Sequence, residues 1–160
     1  MVGSERGPRF ACAAGEPLLQ HRSGDAFENI ESGGIVAGKL VIVMANTDPR
    51  NGEELGAPIF QATVAAAMDY EVDVICTATS GRLMKKGVAE KLFVKEGSPK
   101  SVYDFIKDAH EAGVKFYCCS PNLDLFDMKE GDLIPECSGV MGGAHLIEEV
   151  MEGDCKVLTY

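Results

Sequence analysis

The sequence predicts a single α/β domain built on a mostly parallel, helix-covered sheet. The chain has 160 residues, of which 46% are hydrophobic, and this is enough for one core and too little for two domains. Short apolar runs that are typical of buried strands recur along it, and segments of helical periodicity separate them. This alternation indicates βα units joined by crossover helices.

The domain is predicted to begin at residue 39. Residues 1–38 intersperse Gly, Ser, Ala, Arg and Glu without lasting helical or strand periodicity, so we expect a disordered or loosely attached N-terminal arm. Residues 39–160 hold the α/β domain. It opens with the apolar run Leu40 to Ala45, a first buried strand, which Asn46-Thr47-Asp48-Pro49 ends with a turn and helix-entry pattern.

The later elements follow from periodicity and from turn residues. Helical spacing of apolar residues predicts helices over residues 55–70, 101–112 and 142–151. Apolar runs predict strands over residues 72–79, 114–119 and 155–159. Ser98-Pro99-Lys100-Ser101 provides capping residues for the second helix, and Gly113 is its expected stop. A short helix with a loop is expected over 83–97, and irregular structure over 124–132 and around Cys137.

The charge balance and the cysteine pattern exclude several classes of function. The 25 acidic residues outnumber the 15 basic ones, so the chain would repel nucleic acids and anionic membranes, and neither is an expected partner. Neither a signal peptide nor a run of about 20 apolar residues is seen, which predicts a cytoplasmic protein. The six cysteines are then expected as thiols, and their spacing suits no zinc site, so we expect no metal. Nucleotide binding at Thr79-Ser80-Gly81-Arg82 is a minor alternative, because no phosphate-binding glycine motif occurs.

The strongest candidate site is the pair Cys118-Cys119. Sites in open α/β sheets gather at the carboxyl ends of the strands, and residues 118–122 are the only such segment that contains a strong nucleophile. Because successive strand residues face opposite sides, the two cysteines should not share a pocket. Cys119 is the preferred nucleophile, since a helical turn opened by Ser120-Pro121-Asn122 would offer N–H donors to its thiolate.

Other cysteines have competing interpretations. Cys76 and Cys155 lie within strand patterns and are expected to be core residues. Cys137 is either a resolving or relay thiol at the same edge of the sheet or a partly buried loop residue. Ser120, Asn46 and Asp48 are further candidates for the surroundings of the reacting sulfur, and His145 is either a nearby base or an exposed helix residue.

Three segments together resemble a known family. The order Lys39-Leu40-Val41-Ile42-Val43 with Asn46-Thr47-Asp48-Pro49, then residues 112–119 (AGVKFYCC), then Gly142-Gly143-Ala144 resembles the DsrE/DsrF-like sulfur-relay proteins over residues 39–160. The resemblance implies a three-layer α/β/α fold with a five-stranded, mainly parallel sheet. It also implies a homo-oligomer, as a trimer or a hexamer.

The resemblance also implies a chemistry for the cysteine pair. A cysteine at the end of the 114–119 strand would hold sulfane sulfur as a persulfide and exchange it with rhodanese-like and TusA-like carriers, without a metal or an organic cofactor. Cys119 would be the carrier and Cys118 the alternate. One rival hypothesis is a non-catalytic assembly subunit that binds an anionic or thiol ligand, and another is a dithiol redox sensor that uses Cys119 with Cys137. The apolar residues Leu125, Phe126 and Met128 also suggest a surface covered by oligomerisation.

Overall fold

A computed structural model describes residues 38–160, in which five strands form one parallel sheet. The strands are β1 (Lys39–Met44), β2 (Glu71–Cys76), β3 (Lys115–Cys119), β4 (Cys137–Met141) and β5 (Cys155–Thr159). They lie in the order β4-β3-β2-β1-β5, and every neighbouring pair is parallel. The N-terminal arm predicted for residues 1–38 lies, except for Gly38, outside the described residues.

Helices cover both faces of this sheet. They are α1 (Gly52–Ala67), α2 (Val102–Glu111), α3 (Pro121–Leu125) and α4 (Gly143–Met151). Buried residues of α1 and α2 join the larger core on one face, whereas Leu146 and Val150 of α4 pack on the smaller core of the other face. The predicted three-layer α/β/α class is therefore confirmed. No helix within residues 38–160 is long and apolar enough to span a membrane.

Local sequence explains where several elements begin and end. The hydroxyl of Ser101 accepts a hydrogen bond from the Asp104 backbone N–H at 3.2 Å, while the Asp104 carboxylate accepts one from the Ser101 N–H at 2.9 Å. This reciprocal cap starts α2 where the sequence predicted it. Helix α1 ends at Ala67, earlier than predicted, and Asp69 just beyond it adopts a left-handed φ of 65°.

Strand β4 was not predicted. Residues 137–141 (CSGVM) contain a serine and a glycine, which weaken a strand pattern, so the sequence indicated a loop. Pairing with β3 overrides this weak local preference, because Cys118 lies beside Val140 and Cys119 beside Met141. A register shift between Phe116 and Tyr117 accommodates the extra residue of β4.

Three smaller expectations are also corrected. Cys155 packs against the smaller core but is only half-buried, because β5 is an edge strand of the sheet. In the segment expected to expose apolar residues, Met128 is buried and only Leu125 is largely exposed. Residues 124 and 125 of the segment expected to be irregular belong to α3, and residues 78–84 and 89–91 form 3₁₀ helices.

The loops at the carboxyl edge of the sheet are held together by polar contacts of buried side chains. The Ser80 hydroxyl donates to the carbonyl oxygens of Met44 and Thr77. The Asn122 amide donates to the Cys76 carbonyl oxygen at 3.4 Å. A Cβ atom at Gly81 would fall inside this Asn122 amide, so a glycine is required there. These contacts fix α3 against the loop that follows β2.

We expect Gly81→Ala to destabilise the fold, because its methyl group has to displace the buried Asn122 side chain. Overpacking of this kind costs about 1–3 kcal/mol. Urea unfolding followed by circular dichroism measures the change. The matched control is Gly131→Ala, since a Cβ at Gly131 meets no atom within 4 Å. Equal free energies of unfolding for the two variants would contradict the close contact at Gly81.

Candidate functional site

The predicted site segments meet at the carboxyl edge of the sheet. The loops after β1, β2 and β3 leave this edge from adjacent strands, and α4 begins there directly after β4. The Thr79 hydroxyl donates to the Thr47 carbonyl oxygen at 2.9 Å, which ties the first loop to the second. The Sγ atom of Cys118 lies 4.0 Å from the Gly81 carbonyl oxygen, which brings the end of β3 against the second loop.

The two adjacent cysteines of β3 face opposite sides of the sheet. Cys118 is fully buried in the larger core, beneath α1 and α2. Tyr117 packs on the smaller core beneath α4, and Cys119 shares its face because strand side chains alternate. Cys119 is half-buried and is the last residue of the strand. The structure thus separates one core cysteine from one accessible cysteine.

Burial makes Cys118 a poor nucleophile. Desolvation, reinforced by the neighbouring Cys137 and Cys119 thiols, raises the pKa of Cys118 to about 12. Cys76, its register neighbour on β2, is also fully buried, and desolvation raises its pKa as well. Cys118 therefore stays a thiol at neutral pH. Both residues therefore remain thiols and pack as small core side chains.

Two positions of the turn after β3 offer no free N–H donor. Residues 121–125 do form a helical turn, as predicted. However, the Ser120 N–H already donates to the Met141 carbonyl oxygen at 2.9 Å, and Pro121 has no N–H to donate. Within this turn the Asn122 N–H remains to stabilise a Cys119 thiolate, and that stabilisation stays a prediction.

Helix α4 presents another helix N-terminus near the end of β3. Its N-cap is Gly142, which follows Met141, the register neighbour of Cys119. No side chain among residues 38–160 caps this helix end, and a Cβ at Gly143 would meet no atom within 4 Å. The first N–H groups of a helix have no intrahelical partner and carry its positive dipole end. An uncovered helix N-terminus therefore lies on the same face and at the same edge as Cys119.

Cys137 does not lie with Cys119. It is the first residue of β4, with Phe116 as its register partner, and it packs against the larger core. Its thiol donates to the Gly139 carbonyl oxygen at 3.3 Å, and burial raises its pKa. The loop position expected from sequence is thus replaced by a strand position on the Cys118 side of the sheet.

The other candidate residues surround the edge without forming a proton relay. Two nitrogens of the Arg50 guanidinium donate to Asp48 at 2.7 and 3.0 Å, and they hold the pKa of this carboxyl at about 2. Asp48 therefore stays ionised and is a weak base. Asn46 is exposed, and its backbone N–H donates to the Tyr160 carbonyl oxygen at 2.8 Å. Ser120 is exposed beside Gly142.

Two features of the site were not assigned to it from sequence. Gly142 and Gly143 leave the start of α4 open, and Arg82 places an exposed guanidinium 5.4 Å from the centroid of the Phe126 ring. The glycine pair was visible as part of a family pattern, and Arg82 as part of a weak anion motif. His145, the remaining candidate base, has a 56% exposed side chain next to Glu148 and Glu149.

The fold and the site define a parallel α/β protein with an accessible thiol at the carboxyl edge of its sheet. Residues 78–158, slightly more than half of the chain, match the model of the DsrE/DsrF/DrsH-like family. The chain therefore belongs to this family, and the resemblance seen in the sequence is confirmed. The comparison with curated proteins gives no significant match.

Solved structures of the same fold come from a bacterium and an archaeon. The ychN protein from E. coli matches with a TM-score of 0.61 and 15% identity, over 76% of this chain and 99% of that one. MTH1491 from Methanobacterium thermoautotrophicum, titled a protein of unknown function, matches with a TM-score of 0.54 and 15% identity, over 77% and 99%. At this level of identity the likeness concerns the fold alone.

We expect iodoacetamide to modify Cys119 in the native protein well before Cys118 or Cys76. The physical reason is that Cys119 is half-buried, whereas the other two are fully buried thiols with raised pKa values. Timed alkylation followed by fragmentation mass spectrometry assigns each adduct, and denatured protein serves as the control in which all three react. Equally fast modification of Cys118 and Cys119 would show that the strand does not separate them.

Proposed function

We propose that this chain is a sulfur carrier that holds sulfane sulfur as a persulfide on Cys119. The single observation that carries the proposal is the position of this thiol. Cys119 is half-buried and is the last residue of β3, and it lies on the face where α4 presents an uncapped N-terminus. A persulfide is an anion at neutral pH, and a helix N-terminus favours an anion beside it. Membership of the DsrE/DsrF/DrsH-like family supports a role in sulfur relay.

The proposed loading step is a thiol exchange in which no net oxidation occurs. The Cys119 thiolate attacks the outer sulfur of a donor persulfide, so a new S–S bond forms at Cys119 while the S–S bond of the donor breaks. The donor leaves as a thiolate. In the second step an acceptor thiolate attacks the outer sulfur on Cys119, which returns Cys119 as a thiolate. Neither step needs a metal or an organic cofactor.

The surroundings of Cys119 favour transfer of its sulfur to another protein and not to a second cysteine of the same chain. Cys118 and Cys137 lie on the opposite face of the sheet, so neither is positioned to take sulfur directly from Cys119. The partner thiol would then come from another carrier, and rhodanese-like and TusA-like proteins are the proposed classes. The thiols are free within residues 38–160, and we propose that the protein works in the reducing cytoplasm.

Persulfide loading tests this function directly. Incubation of the reduced protein with polysulfide, followed by intact mass measurement, is expected to show additions of about 32 Da that dithiothreitol removes. Cys119→Ser is expected to abolish most of this loading, because it removes the accessible nucleophile. Loaded wild type mixed with a rhodanese-like protein is expected to pass the added mass to that protein.

Two serine variants provide controls for the loading experiment. Cys155→Ser removes another half-buried thiol, and Cys76→Ser removes a fully buried one, so both are expected to load like the wild type. Loading that survives Cys119→Ser and disappears in Cys118→Ser would assign the carrier to Cys118. Loading that survives both changes together would refute the proposed carrier function at this strand end and favour a non-catalytic subunit.

A further inference from the structure

The sheet face beneath α4 carries charged side chains near the start of its central strands. Lys39 is on β1 and Asp73 is on β2. Both lie on the α4 face, because strand side chains alternate and Val41 and Ile75, each two residues further along, belong to the smaller core. The Lys39 ammonium lies 3.0 Å from the Asp73 carboxylate and also binds the carboxylate of Glu149 on α4. Lys39 therefore ties α4 to two neighbouring strands.

The three side chains of this ion network are largely withdrawn from water. Their exposed fractions are 14% for Lys39, 15% for Glu149 and 3% for Asp73. The second carboxylate oxygen of Asp73 is buried without a hydrogen-bond partner among residues 38–160, so this carboxylate relies on the Lys39 ammonium. Water and salt screen such a buried network less than an exposed pair, and removal of one partner leaves a charge uncompensated.

Helix α4 presents Glu149 to the sheet among apolar residues. Leu146 and Val150 pack against the smaller core, and their spacing of three residues before and one after Glu149 puts all three on one side of the helix. None of the nine residues of α4 is fully buried, so this packing is shallow. A buried ion pair adds little stability over apolar packing, and its best supported use is to specify one arrangement. This position suits Glu149 for setting how α4 lies on the sheet.

Helix α4 connects the ion network with the Cys119 edge. It follows β4 at one edge of the sheet and precedes β5 at the other, so it crosses the three strands between them. Its N-cap Gly142 comes directly after the register neighbour of Cys119, whereas Glu149 near its other end contacts Lys39. The nine residues of α4 span about 13 Å, so one rigid element runs from the ion network to the thiol edge.

Lys39 is too far from Cys119 to act on its sulfur directly. The strand register places Cys118 beside Cys76 of β2, and Cys76 beside Met44 of β1. Lys39 begins β1, five residues before Met44, and two strand spacings separate β1 from β3. With about 3.3 Å per residue and about 4.8 Å per strand, the backbones of Lys39 and Cys119 are roughly 20 Å apart. This exceeds the Debye length of about 8 Å at physiological ionic strength, so an effect of Lys39 has to pass through α4.

We propose that Lys39 is a positioning residue for the reaction at Cys119, a role that rests on the proposed carrier function. Its ion pair with Glu149 fixes the direction of α4, and this direction keeps the uncapped N-terminus of the helix beside the Cys119 face. Loss of the pair leaves α4 held by the chain and by its shallow apolar packing, so its first N–H groups turn away from the thiol. An anion at Cys119 is then stabilised less.

The preference of Cys119 for an anionic over a neutral alkylating reagent measures this positioning. Iodoacetate and iodoacetamide react with the same thiolate, so the ratio of their rates reports the surroundings of the sulfur and cancels the thiolate fraction. Lys39→Met keeps the length of the side chain and removes its charge. It is expected to lower the iodoacetate to iodoacetamide ratio at Cys119 about two- to fivefold, the effect of one helix N-terminus on a neighbouring anion. Lys39→Arg keeps the charge and is expected to retain the wild-type ratio.

Glu149→Gln removes the same tie from the helix side. It leaves Lys39 paired with Asp73, so the buried charge stays compensated and the fold is kept. The expected ratio falls as in Lys39→Met, and the double variant shows no further fall, because both changes remove one interaction. A direct effect of charge would instead move the two single variants in opposite directions, since one loses a positive charge and the other a negative charge.

Lys115→Met is the matched control. Lys115 lies on the same face and on the strand of Cys119 itself, and its ammonium pairs with Glu71 at 2.9 Å. It is nearer to Cys119 than Lys39 is, yet its ion pair does not involve α4, so this variant is expected to keep the wild-type ratio. Circular dichroism of every variant confirms that the ratios are measured on folded protein.

Three results would overturn the positioning role of Lys39. They are unchanged ratios in both Lys39→Met and Glu149→Gln, opposite shifts in these two variants, and a fall in Lys115→Met as large as that in Lys39→Met. Polysulfide loading of the wild type separates this role from the carrier function. Normal loading with unchanged ratios removes the positioning role alone, whereas a wild type that does not load removes the carrier function and with it the role of Lys39 in sulfur transfer.

Discussion

Side-chain alternation along β3 is the constraint on which the rest of this protein depends. Two adjacent cysteines with identical chemistry acquire different properties because one strand residue faces the larger core and the next faces the smaller one. Desolvation raises the pKa of the Cys118 thiol to about 12, so this side chain stays protonated and packs in the core. Cys119 is left half-buried at the strand end, where another protein can reach its sulfur. A register slip of one residue would exchange these roles.

The carboxyl edge keeps this arrangement fixed. The Asn122 side chain fills the space that the missing Cβ of Gly81 leaves. Its amide donates a hydrogen bond to the carbonyl oxygen of Cys76, the last residue of β2. The Ser120 N–H donates a hydrogen bond to the Met141 carbonyl oxygen and so ties the residue after Cys119 to the end of β4. These contacts hold the residues on both sides of Cys119, while the glycines at the start of α4 keep the space beside it free of side chains. A half-buried thiol held in this way suits the proposed exchange of sulfur with other proteins.

The sequence by itself determined the α/β class, the βα order, the Ser101 cap and the cysteine pair at the end of β3, because long apolar runs and capping residues act locally. Tertiary structure decided the rest. Residues 137–141 became a strand only because β3 offered a parallel edge, and this pairing moved Cys137 to the Cys118 face. Cys155 is only half-buried against the smaller core because β5 has no neighbour on its outer side within residues 38–160. The uncapped helix N-terminus on the Cys119 face belongs to α4, which is distant in sequence, and no local pattern encodes which helix end a sheet places beside a thiol.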